Sequence, residues 1–365
     1  INNNNCKEEG EGGEGGGGRE LTRLYFARRD LRETKIINEI NVIESYSFQF
    51  CNQLERIEFE SSHKSNLEII ESSSFYSSSI KEIIIPSNTK TIKDNAFRYC
   101  KNLKSVTFSE GSKISYIGSN SFSGLSIEKI SIPSSVEYIG ENAFFGCQNL
   151  TTVEFSKECK LSEIKDSTFS MTSIHNINIP SQIEIIGNKA FFSCGKLTTV
   201  TFSNDSKLKK IESFAFSKSL LSKISIPSNV IQIGKSSFSE CEKLEIVEFS
   251  PDIKIEMIDD DAFSSSGIFE IKIPSSVVQI GQNSFGNCRK LTSISFPDDS
   301  KLKIIGNSSF SYSSITKIKI PSHVKTVKES AFLGCNKLKT IEFSENSELT
   351  TIEKGAFMRS GIDHI

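Results

Sequence analysis

Residues 97–144 read FRYCKNLKSVTFSEGSKISYIGSNSFSGLSIEKISIPSSVEYIGENAF, and this stretch decides the fold. It opens on Phe97-x-x-Cys100 and ends on the next phenylalanine of the same frame, Phe144, 47 residues later. Leu103-x-x-Val106-x-Phe108 is apolar at its first, fourth and sixth positions, and the alternation at its end turns Val106 and Phe108 inward and Ser105 and Thr107 outward. A loop of turn residues, 109–113, leads to a second short extended piece, Ile114-x-x-Ile117-Gly118, and Ser121-Phe122 closes the coil. The theme recurs in shorter form as Ile127-x-x-Ile130-x-Ile132, the turn at Pro133, Val136-x-x-Ile139-Gly140 and Ala143-Phe144. The steps from Phe97 to Phe122 and from Phe122 to Phe144 are 25 and 22 residues.

The same pattern runs outward in both directions. The Phe-x-x-Cys frame occurs at Phe48/Cys51, Phe97/Cys100, Phe144/Cys147, Phe191/Cys194, Phe238/Cys241, Phe285/Cys288 and Phe332/Cys335, with a first step of 49 and 47 thereafter. A second phenylalanine series, at 75, 122, 169, 216, 263, 310 and 357, lies between, and Ile-Pro-Ser closes a strand at Pro86, Pro133, Pro180, Pro227, Pro274 and Pro321. A fixed period of this size means a solenoid, each unit burying its apolar side against its neighbours. About fourteen coils alternating 22 and 25 residues are expected. Proline past the strand of the short coil removes a ladder hydrogen bond, tolerable at a strand end. The small residue before the phenylalanine (Ala96, Ala143, Ala190, Ala262, Ala331, Ala356) fits a tight helical turn, and glycine at 118, 140, 187, 234, 281 and 306 suits a bend with positive φ.

Composition narrows the function. The 43 basic and 45 acidic residues leave a formal charge of −2, with mixed signs that mark neither a nucleic-acid nor an anionic-lipid partner. The longest apolar runs, such as Ile83–Ile85, are far too short to span a bilayer, so no membrane insertion by this segment is expected. No secretory signal peptide is recognisable in a chain that begins at Ile1. Stacked coils are about 4.8 Å apart, so cysteines recurring in every second coil lie roughly 10 Å apart, beyond disulfide reach. They are read as unpaired, buried thiols, with only Cys6 and Cys159 outside the ladder. No Cys-x-x-Cys pair occurs and His63, His175, His323 and His364 are scattered, which leaves no zinc ligands. Asp259–Asp261 is weighed as a calcium site against a solvated turn, and the turn is favoured because spaced partner ligands are missing. The glycine-rich stretch 10–18 lacks the ending of a phosphate loop, and no hydrolase or metalloprotease string is present, so no catalytic residue and no cofactor is assigned. Asn149, Asn204 and Asn307 begin glycosylation sequons of the kind that arise by chance in such a chain.

The frame Leu-x-x-Ile-x-Phe/Ile in coils of 22 to 25 residues, with the added Ile-Gly-x-x-Ala-Phe-x-x-Cys-x-x-Leu, resembles the BspA-like leucine-rich repeats of surface antigens in anaerobic bacteria and parasitic protists. The resemblance covers residues from about 40 to 365. It implies an α/β leucine-rich repeat solenoid, right-handed and horseshoe-like, with a parallel sheet on its concave face and short strands and helical turns elsewhere. It also implies a cell-surface or secreted location and adhesion to host matrix or cell-surface proteins.

The ends differ from the middle. Residues 1–19 form an Asn/Glu/Gly-rich tail expected to be disordered, and 20–39, with Arg23, Arg28, Arg29 and Arg32, reads as a cap-like segment or a basic arm. The solenoid is taken to run from 40 to 365 and to stop inside a strand at Ile362–Ile365, as though the protein continued. With the core positions structural (the seven Phe/Cys pairs, among them Phe97, Cys100, Phe144, Cys147, Phe191, Cys194, Phe238, Cys241, Phe285, Cys288, Phe332 and Cys335), binding falls to the outward residues of the concave strands. The central ones are Ser105, Thr107, Lys129, Ser131, Thr152, Glu154, Asn176, Asn178, Thr199, Thr201, Lys223 and Ser225. The two outward ladders are short on aromatic and Arg anchors, which points to broad contact of modest affinity. Three readings stay open: an adhesion module of a surface antigen, a cytoplasmic scaffold or regulatory protein, and the sensor part of a protein with a further domain.

Overall fold

The structure, a computed structural model, describes residues 21–25, 27–61 and 64–362; Cys6, His63, His364 and the tail 1–19 lie outside them. The chain divides into two compact units, up to Ile174 and from His175 onward. Each unit is a stack of coils held by parallel strands. Every coil contributes one strand of two residues, such as Tyr116–Ile117, and one of three or four, such as Ser105–Phe108. In the first unit the two-residue strands from Arg23–Leu24 to Tyr138–Ile139 form one six-stranded parallel sheet. In the second, those from Ile185–Ile186 to Thr351–Ile352 are likewise parallel. Arg23–Leu24 and Glu33–Ile36 pair with Val42–Ile43 and Arg56–Phe59, so residues 23–36 add one strand to the sheet of two-residue strands and one to the first sheet of longer strands.

The longer strands follow a stricter rule. Each strand of a short coil pairs in full register with the long-coil strand after it, as Lys129↔Thr152 to Ile132↔Phe155 and Lys223↔Ile246 to Ile226↔Phe249. At the next junction the ladder thins to the single pair Arg56↔Glu82 between Arg56–Phe59 and Glu82–Ile85, and further on it lapses: among the described residues none joins Ser105–Phe108 to Lys129–Ile132, or Thr199–Phe202 to Lys223–Ile226. Proline weakens this junction at one point. Residues just after long-coil strands donate their N–H backward, Ser109 to the Ile85 carbonyl at 3.0 Å, Ser156 to Ile132 at 3.2 Å and Ser250 to Ile226 at 3.1 Å. In the short coils that place is held by Pro86, Pro133, Pro227, Pro274 or Pro321, which have no N–H to give.

The third wall carries the phenylalanines. In the first unit Phe48, Phe75, Phe97, Phe122, Phe144 and Phe169 stack at 4.7 to 5.4 Å with rings within 12° of parallel. Phe191 to Phe357 do the same in the second. The helical turn expected around Ala-Phe does not form, and no helix occurs among the described residues. Two residues in each coil, two before and two after the phenylalanine, have positive φ, for example Asn142 (55°) and Gly146 (69°). These reversals send alternate N–H groups to the neighbouring coil: Asn142 to Asp166 O at 3.0 Å, Phe144 to Thr168 O at 2.9 Å and Gly146 to Ser170 O at 2.9 Å. The groups between them, on Ala143, Phe145 and Cys147, bond within their own coil. A helix would spend every N–H internally and leave nothing to tie coil to coil.

Glycine 118, 140, 234, 281 and 306 are not at positive φ, contrary to the expectation from sequence. They are needed because the preceding coil is too close: a Cβ on Gly140 would stand 2.4 Å from the Ser119 nitrogen. The seven ladder cysteines are buried and free, as is Cys159. Ladder thiols donate to the coil before, for example Cys147 Sγ to the Phe122 carbonyl at 3.1 Å and Cys288 Sγ to Phe263 at 3.1 Å.

Candidate functional site

The longer strands alternate sharply. Inward residues such as Ile130 and Ile177 are buried, while the residues between them face solvent. In the first unit Ser105, Thr107, Lys129, Ser131 and Glu154 are exposed and Thr152 is half-buried. Lys129 Nζ lies 2.6 Å from Glu154 Oε1, and Ser131 Oγ donates to Glu154 Oε2 at 2.9 Å. The hydrogen bond from Lys129, then that from Ser131, holds the Glu154 carboxyl below the usual carboxylate range, so it is an ionised acceptor at neutral pH.

In the second unit Asn176, Asn178, Thr199, Thr201, Lys223 and Ser225 are exposed on the corresponding face. Thr201 Oγ1 donates to Asn178 Oδ1 at 3.2 Å. Lys223, Ser225 and Glu248 repeat the first unit's arrangement, with an ion pair of 2.6 Å and a hydroxyl bond of 2.8 Å. Apolar side chains that break the polar surface include Ile246, 49% exposed, and Phe269, 45%. Lys290 Nζ sits 5.2 Å from the centre of the Phe269 ring and 3.5 Å from Glu245 Oε1. Sequence reasoning counted only residues inside the strands and so missed Phe269, which immediately precedes the strand Glu270–Lys272. The signal was available, since this place is polar in every other coil and aromatic only here.

The lapsed ladders leave room beside the prolines. In the first unit a cleft of about 650 Å³ is lined by Thr107, Phe108, Ser109, Lys129, Ser131, Pro133, Glu154 and Phe155, among others. Its counterpart in the second unit, about 710 Å³, is lined by Ser295, Phe296, Pro297, Lys317, Lys319, Pro321, Glu342 and Phe343. Among the described residues no group of three or more His, Cys, Asp or Glu side chains is placed to hold a metal. The Asp260 and Asp261 carboxylates bind the following coil instead, accepting from Gln282 N at 2.7 Å and Asn283 Nδ2 at 2.6 Å. No helix among the described residues is long and apolar enough to cross a membrane.

Coils that each give one short strand to a parallel sheet, and leave its alternate residues outward, define a leucine-rich repeat solenoid. The family model described as BspA type leucine-rich repeat region matches residues 19–151, 68–191, 115–245, 162–276 and 256–365, and the chain belongs to that family. Among solved structures it is similar to a leucine-rich repeat protein from Bacteroides ovatus, with 26% identity over 93% of this chain and 87% of that one and a TM-score of 0.78. The pneumococcal vaccine antigen PcpA shares the fold, at 19% identity over 91% and 83% of the two chains and a TM-score of 0.51. No curated protein matches the chain.

Proposed function

We propose that the chain is a non-enzymatic protein-recognition and adhesion module of a cell-surface antigen, binding host or matrix proteins through the outward face of its longer strands. One observation carries this reading. In the second unit the exposed pair Ile246 and Phe269 stands among the ion pairs Lys223–Glu248 and Lys290–Glu245. An apolar anchor inside a charged rim is the composition of a protein-binding hot spot. The neighbouring polar residues Thr199, Thr201, Lys223 and Ser225, with Asn176 and Asn178, widen the contact. Ser105, Thr107, Lys129, Ser131, Thr152 and Glu154 offer a corresponding surface in the first unit. The surface location rests on the family and on the antigen among its structural neighbours.

A cytoplasmic scaffold is the second reading, favoured by eight buried cysteines that are all free. Antibody labelling of intact cells separates the two. The binding site is tested by surface plasmon resonance on immobilised fibronectin, laminin and collagen, comparing Phe269→Ala with Ile246→Asp and with a loop control, Asn204→Lys. Loss of at least tenfold in affinity for the two face variants alone supports the assignment. Loss in the loop control with the face variants unaffected refutes it.

A further inference from the structure

The cleft beside Pro133 has features that broad protein contact does not explain. Seven of its lining residues are Ser or Thr, and its two charged groups, Lys129 and Glu154, neutralise one another at 2.6 Å. Ser109 is only 8% exposed, lines the cleft, and its hydroxyl has no hydrogen-bond partner. Two serines at the same place in other coils are occupied in their own loops: Ser156 Oγ accepts from Glu158 N at 3.4 Å and Ser203 Oγ donates to Asp205 at 2.6 Å. A buried hydroxyl left unpaired is unfavourable; six other buried side-chain atoms among the described residues share that state, and Ser109 Oγ is set apart from them by its place at the wall of this cleft.

We propose that this cleft is a binding site for a neutral carbohydrate, a mono- or disaccharide unit seated between Thr107, Ser109, Ser131 and Glu154. Its volume falls in the range of small-ligand sites. The chemistry selects the class. An anion meets no net positive charge, because Lys129 is already matched by Glu154. A sugar brings hydroxyls that both donate and accept, which suits hydroxyl walls, a carboxylate acceptor and an ammonium donor. Its C–H face suits the half-exposed Phe108 and Phe155 rings. The second unit's cleft supplies an internal contrast. Pro297 stands where Ser109 does and Lys319 where Ser131 does, so the orphan hydroxyl is gone and a second cation faces Glu342. The site thus goes beyond the protein-recognition reading and is independent of the Phe269 anchor.

Saturation-transfer NMR on the intact chain tests it, with maltose, lactose, cellobiose and N-acetyllactosamine each at about 10 mM, above the millimolar Kd that a few hydrogen bonds supply. Transfer to at least one of the four is expected, and it should vanish in Thr107→Arg, whose outward side chain fills the cleft. Ser109→Ala should weaken it about three- to tenfold, the loss of one hydrogen bond, while leaving the melting temperature unchanged or higher. Ser295→Arg, in the other cleft, should leave it intact. No transfer to any of the four sugars, or transfer that survives Thr107→Arg, overturns the proposal and leaves the matrix-protein result untouched.

Discussion

Replacing Phe238 by alanine tests the coil-to-coil account of stability most directly. The ring is fully buried and lies between Phe216 at 5.4 Å and Phe263 at 5.3 Å, nearly parallel to both. Truncating a buried phenylalanine costs about 3–5 kcal/mol, part of which is the loss of two ring pairs at about 0.5–1.5 kcal/mol each. Phe357 provides the comparison, being half-buried and, among the described residues, stacked on Phe332 alone at 5.2 Å. Its truncation should cost roughly half as much. In a stack where each coil touches only its neighbours, the loss should concentrate in the coils that contain Phe216, Phe238 and Phe263. Hydrogen-exchange mass spectrometry reads this as a local rise in opening of roughly 10²- to 10³-fold, fading two coils away. Equal loosening throughout the second unit would refute the nearest-neighbour picture. So would an equal cost for Phe357→Ala.

Four further outcomes are expected, the last a pair of glycine replacements. Ser121 has a buried hydroxyl without a partner at a place where neighbouring coils carry Ala96 and Ala143, so Ser121→Ala should leave stability unchanged or raise it by up to about 1 kcal/mol in urea denaturation. Burial pushes the Cys147 thiol up to about 12 and Cys100 up to about 11, so a thiol reagent at pH 8 should label neither until denaturant is added. Because the folded values are raised, that stabilisation is full below the ordinary thiol value of 9.0 and should fade as pH climbs through about 11 to 12, visible in alkaline melting curves. Gly140→Ala should destabilise by about 1–3 kcal/mol, since its Cβ would meet Ser119 backbone at 2.4 Å; Gly111→Ala, with open space around it but φ of +68°, should cost about 1–2 kcal/mol.

The parallel stack, the inward faces and the free cysteines were all legible in the spacing of Phe97, Phe122 and Phe144 and of Cys100 and Cys147, because burial repeats with the coil. The turn around Ala143 was not. Its tight spacing is equally compatible with a helical turn, and what decides against one is where the N–H groups of Asn142, Phe144 and Gly146 find acceptors, namely on the neighbouring coil. Gly140 was seen as special for the wrong cause, since a pattern of residues does not reveal how near the previous coil's backbone lies. The outward ladders were placed residue by residue. The clefts were not, although Pro133 was already recognised as a lost hydrogen bond: what that absence does to the space between two strands appears only in three dimensions.

The lost rung also sets how the stack yields to force. Within each unit the turns that carry the stacked rings stay joined from coil to coil, while on the face of the longer strands the junctions of Ser105–Phe108 with Lys129–Ile132 and of Thr199–Phe202 with Lys223–Ile226 lack their ladder. Within each unit that face is therefore compliant and the wall of stacked rings is stiff. Bending that spreads the face opens seams beside Pro133 or Pro227 without breaking a ladder hydrogen bond, whereas stretching the opposite wall breaks several at once. Such a stack adjusts the spacing of its outward residues to a partner at small elastic expense.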